Sequence, residues 1–170
     1  MKKTFTLFGL LLMCLLAFAQ NPCPQVIPAL QQWKGAKGTL ALPAQGSIVI
    51  NPQDKATLGQ TASILADDLK ELMGWEYSIT TGKAKKNDIY LSLSQADEQL
   101  GKEGYVLAIN NKVSIEAPTT QGVFWGTRTL LQMLIDKKLP WPRVLPATGR
   151  SFLAVALCSM WVESSLPSTI

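Results

Sequence analysis

Two alternating runs, Gly104 to Asn110 (GYVLAIN) and Lys112 to Ala117 (KVSIEA), meet at Asn110-Asn111 and constrain the fold more than any other stretch. Their period of two predicts strands. Asparagine tolerates the left-handed conformations that tight hairpins require, so the junction predicts an antiparallel hairpin. A hairpin here excludes an all-parallel sheet.

The flanking sequence changes period twice. Leu58, Ala62, Leu65, Leu69 and Leu72 recur at spacings of four and three, which predicts a helix over Asp54 to Met73 with Gly74 at its C-terminal cap. After the hairpin, Thr119 or Thr120 can cap a second helix whose buried stripe is Val123, Thr127, Leu130, Leu131 and Leu134. Gly122 and Gly126, four apart, would let its backbone lie close to a sheet. Further strands are expected at Gly38 to Leu42, Ser47 to Asn51, Glu76 to Thr80 and Asp88 to Ser94. Two such helices cover one face of the sheet. The expected fold is therefore a two-layer α/β (α+β) sandwich, with a mixed, mostly antiparallel sheet and two helices on one face.

Little in the chain carries chemistry. It has no histidine, which excludes histidine-ligated zinc and any nucleophile with a histidine base. Asp67, Asp68 and Glu71 lie off the apolar stripe of the first helix and read as a solvated face rather than a paired-carboxylate site. Lys83, Lys85 and Lys86 sit in TTGKAKKN, but no glycine precedes Gly82 by five residues; this is a solvated turn, not a phosphate loop. We expect no catalytic residue, no cofactor and no metal. Phe124 and Trp125, on the second helix, are read as packing residues within the core or against another domain.

The first residues, MKKTFTLFGLLLMCLLAFAQ, place Lys2 and Lys3 before an apolar run that closes on Ala17-Phe18-Ala19. This reads as a signal peptide over residues 1–19, with export to the periplasm or the extracellular space. Its removal would take the formal charge from +4 to +2, too little to argue for nucleic acid as a partner. No membrane anchorage is expected of the mature form, since Phe152 to Cys158 is too short to span.

Three motifs together resemble one family. They are Gly104-Tyr105-Val106-Leu107-Ala108-Ile109, Val113-Ser114-Ile115-Glu116-Ala117, and Gly122-Val123-Phe124-Trp125-Gly126 followed by Thr129-Leu130-Leu131-Gln132-Met133. The pattern is similar to the non-catalytic N-terminal domain of family 20 glycoside hydrolases, the β-N-acetylhexosaminidases, over about residues 24 to 140. The resemblance implies a mixed sheet with helices on one side, packed against a (β/α)₈ barrel that holds the chemistry. There an Asp-Glu pair would use the substrate's own acetamido group as nucleophile. A barrel needs about 250 residues, so no catalytic residue carries over, and a glycan would be a partner only through the missing barrel. The implied reading is an accessory-domain fragment over residues 20–140. A face left open where the barrel should sit, near Phe124 and Trp125, invites self-association. The alternative is a stand-alone glycan-binding or adhesion module, with Trp33, Trp75 and Trp125 as sugar platforms.

Residues 141–170 do not continue the pattern, which implies a barrel strand like RGxxLDxGR. Read one frame out, the single codons of Met160 and Trp161 force valine and then glycine, and the neighbouring codons permit RGx[LMV][LF]DVGR. The expectation is an out-of-frame, poorly ordered tail.

Overall fold

A computed structural model describes residues 21–94, 100–135 and 144–148. The expected signal peptide and the tail beyond Thr148 lie outside them. In chain order the elements are β1 (Gly35–Ala41), β2 (Gln45–Ile50), α1 (Lys55–Met73), β3 (Glu76–Thr81), β4 (Ile89–Leu93), β5 (Val106–Ile109), β6 (Val113–Ala117), α2 (Thr120–Ile135) and β7 (Val144–Thr148). Five strands form one sheet in the order β3-β2-β4-β6-β5, and β1 and β7 form a separate two-stranded ribbon.

The α/β class with two helices is as expected, but the strand directions are not. β2 runs parallel to β3 and β4, and β4 runs parallel to β6; within this sheet only β5 and β6 are antiparallel. The sheet is mixed and mostly parallel. Alternating side chains tell which face a residue takes but not which way the strand runs. Direction is set by the connections, and α1 carries the chain from β2 back to a parallel neighbour. The first strand starts earlier than expected and pairs with β7, with Leu40 opposite Leu145 and Ala41 opposite Val144. An irregularity between Gly35 and Thr39 includes Gly38 at φ 94°, in the left-handed region. Val144–Thr148, placed in the tail by sequence reasoning, is thus a paired strand.

The hairpin forms, with Ile109 opposite Val113 and Val106 opposite Glu116. Its loop spans Asn110 to Lys112, closed by the Asn110 N–H donating to Lys112 O at 3.0 Å. Among the described residues, Asn87 (φ 67°) is the one non-glycine with positive φ, so this turn uses no left-handed asparagine.

The core lies between the five-stranded sheet and the helices. Ile48, Ile89, Val113 and Ile109 form one buried row across the sheet, and Ile50, Leu91, Ile115 and Leu107 the next. Leu58, Ala62, Leu65 and Leu69 of α1 pack onto them, as do Val123, Leu130 and Leu134 of α2. Leu72 was expected in this stripe but is 51% exposed, at its margin. Gly74 ends α1 at φ 69° and donates its N–H to Lys70 O at 2.9 Å. Thr119 caps α2, its Oγ1 accepting from the Gly122 N–H at 3.1 Å.

The buried Tyr105 hydroxyl shares a hydrogen bond with Thr129 Oγ1. Burial pushes this phenol up to about 12, against the lowering effect of the Thr129 bond. Tyr77 is also raised, by burial and then by the Asp88 charge. An unfolded tyrosine ionises near pH 10 while the folded one holds its proton. The stabilisation is therefore complete below pH 10 and lost as pH rises through about 12, on the order of 2 kcal/mol for Tyr105. Urea midpoints measured from about pH 9 to about pH 11.5 should fall, and the fall should be shallower in Tyr105→Phe.

Candidate functional site

Most residues of the family-like motifs, the glycines above all, are consumed by packing. A Cβ at Gly126 would stand 2.4 Å from Ile115 Cγ2, and one at Gly122 would stand 2.4 Å from Gly104 O and 2.8 Å from Ala117 Cβ. These glycines let α2 lie directly on β6 and on the turn before β5. Gln132, one face further round, binds the lead-in segment with its side-chain amide. Its Oε1 accepts from the Ile27 N–H at 2.8 Å and its Nε2 donates to Ile27 O at 2.7 Å. Both backbone groups of a residue 105 positions away are thereby satisfied by one side chain. In the sequence Gln132 stands out only as part of the motif, and no local signal links it to Ile27.

The outer side of α2 is different. Phe124, Trp125, Arg128, Gln132 and Ile135 are part-buried or exposed, and their spacing of one, three, four and three places them on the side of the helix turned from the sheet, with Trp125 at its margin against the core. Phe124 and Trp125 meet edge to face, with centroids 5.6 Å apart and planes at 67°. The Arg128 guanidinium lies over the Phe124 ring, 4.7 Å from its centroid. Its Nη2 also approaches Asp68 Oδ2 of α1 to 2.6 Å. Oδ2 lacks a partner of hydrogen-bond geometry, so the contact is coulombic rather than directional. Both side chains are about a quarter exposed, so solvent partly screens the pair, which is worth about 1 kcal/mol or less. The indole Nε1 of Trp125 is buried and has no hydrogen-bond partner among the described residues.

Asp67 and Glu71 are exposed, as a solvated helix face requires; Asp68 is not, because the two helices pack side by side and bring Arg128 to it. Lys83, Lys85 and Lys86 are exposed in the turn, which Asp88 closes by accepting from the Lys85 N–H at 2.6 Å. Trp33, Trp75 and Trp125 do not share a surface role. Trp75 is 6% exposed and stacks with Tyr77 at 6.2 Å, sealing the end of the core beneath the α1 cap. It offers no sugar platform. Trp33 is part-buried and donates its Nε1 proton to Asn21 O at 3.0 Å. Among the described residues there is no group of three metal-ligating side chains, and no helix is long and apolar enough to cross a membrane. The open depressions beside β3, of about 280 and 460 Å³, share Glu76 and Tyr77; Ser78 lines the larger one, but its hydroxyl bonds Ser47 Oγ and Gly46 O rather than a carboxylate.

Fold and surface define a small α/β sandwich module whose polar and aromatic groups serve packing and surface contact. Residues 23–148 match the family model described as glycosyl hydrolase family 20, domain 2, and the chain belongs to that family. It is 32% identical over 146 residues to a lacto-N-biosidase of Bifidobacterium bifidum, covering 84% of this chain and 13% of that protein. Among solved structures it resembles the GH20 β-N-acetylhexosaminidase of Streptomyces coelicolor (24% identity, TM-score 0.57, 76% of this chain and 26% of that one). It also resembles a Streptomyces plicatus β-hexosaminidase bound to the product GlcNAc (23%, 0.57, 77% and 26%). At such identities the structures establish the fold. The chain spans a small part of each of these proteins.

Proposed function

We propose that this chain is the accessory domain of an exported glycosidase of the β-N-acetylhexosaminidase type, and that the outer face of α2 seats it against a catalytic barrel. The observation that carries this reading is the family match over residues 23–148, in which the motif glycines are spent on packing. Phe124, Trp125 and Ile135, with the Asp68–Arg128 pair beside them, make a half-apolar face with the aromatic and arginine composition favoured at interfaces. The parent enzyme would release terminal N-acetylhexosamine, by analogy with relatives named for that activity. Export follows from Lys2, Lys3 and the apolar run to Ala19.

The chain by itself does not hydrolyse glycans in this reading. The purified protein should give no turnover of a chromogenic N-acetylglucosaminide above background, and turnover would overturn the reading. The residues after Thr148 are then a barrel strand read one frame out. Sequencing the gene across the codons for residues 138 to 165 tests this; an open downstream frame without the RGxxLDxGR pattern rejects it.

A further inference from the structure

β3 closes one edge of the five-stranded sheet. The Glu76 N–H donates to Ala44 O at 2.8 Å and the Gly82 N–H to Ile50 O at 3.2 Å, so the even-numbered residues of this strand turn their backbone toward β2. By the alternation of a parallel ladder, the N–H and C=O groups of Tyr77, Ile79 and Thr81 point the other way. Among the described residues no strand pairs with them. Edges of this kind are usually blunted by proline, a bulge or a charge within the strand. Glu76–Thr81 (EYSITT) has no proline, and its one charge is at its first residue.

Two further features say what fits this edge. Ile79 pairs with Ile48 and so extends the buried row Ile48, Ile89, Val113 and Ile109, yet it is 41% exposed because the sheet stops there. The strand also carries opposite charges at its two ends. Glu76 stands at the start, where Asp67 and Lys70 across the adjoining depression offset each other and leave Glu76 as the net charge, and Lys83, Lys85 and Lys86 follow the end. A strand that is acidic at one end and basic at the other is complementary to itself when reversed.

We propose that β3 pairs antiparallel with β3 of a second copy of this chain, about a two-fold axis through Ile79. Antiparallel pairing sets outward-facing residues opposite one another. With Ile79 facing Ile79, Tyr77 faces Thr81, Glu76 faces Gly82, and Lys83 of the second copy falls beside Glu76. The two apolar rows become one, and the two sheets become one continuous sheet. An unrelated peptide could satisfy the edge hydrogen bonds but would not bring this reversed charge pattern. The proposal does not depend on where a barrel would seat, since β3 and the outer face of α2 are separate surfaces.

Sedimentation velocity of the full chain tests it. The protein should show a concentration-dependent dimer below about 1 mM, the range of weak specific association. Ile79→Lys should weaken that dimer by about tenfold or more, because it sets two like charges opposite one another and removes the apolar contact. Glu76→Lys should weaken it by about threefold, and adding Lys83→Glu should restore it, an outcome that misfolding would not produce. Phe124→Ser should leave it intact. A chain monomeric at about 1 mM, or a dimer indifferent to Ile79→Lys, overturns the proposal, as does one lost on Phe124→Ser instead.

Discussion

Replacing Gly122 with valine should abolish the native fold or lower its unfolding free energy by about 3 kcal/mol or more, at the upper end of what overpacking costs. The new Cβ would stand 2.4 Å from Gly104 O and 2.8 Å from Ala117 Cβ. A side chain at such a contact can rotate away; a backbone carbonyl cannot. Relief would require α2 to lift from β6, which separates Val123, Leu130 and Leu134 from the sheet. The β-branched side chain adds a stiff χ1 to a position with no room for it. Urea or thermal unfolding of the variant reads the effect. A midpoint within the error of the parent would mean that the helix does not lie this close to the strand.

The second large effect is a coupled one. Ile115→Ala removes a fully buried side chain on an interior strand of the sheet and should destabilise by about 2–5 kcal/mol through lost contacts and a cavity. Gly126→Ala should destabilise by about 1–3 kcal/mol, because its Cβ would stand 2.4 Å from Ile115 Cγ2. The double variant should be less destabilised than the two single costs combined. The new methyl at 126 enters part of the space that Ile115 vacates, and residues in contact couple in this way. Strict additivity in a denaturation cycle would break the link between the two positions.

Much of this fold is legible in the residues. The α1 stripe, its Gly74 cap and the Thr119 cap depend on groups within a few residues of one another, and local spacing fixes them. The period-two runs mark the strands to within two or three residues of their ends for the same reason. The glycines at 122 and 126 announce a close approach, although only the folded chain identifies Gly104 and Ile115 as what they approach. Trp75 illustrates the opposite case. An aromatic after a helix cap reads equally as a platform or a plug, and its burial depends on where β3 turns in.

The amino-acid sequence by itself determined the elements as far as α2, their amphipathic faces and the family to which the chain belongs, but not β7. These rest on short-range periodicity, capping and steric need, all written into neighbouring residues. The tertiary structure alone decided strand direction, the pairing of β1 with β7, the Gln132 grip on Ile27, the Asp68–Arg128 contact and the open edge at β3. Each of these joins residues remote in the chain or depends on the order in which strands assemble. A pleated strand carries the same alternation whichever way it runs, so its neighbours and its direction are settled only when the connections close and the core is buried.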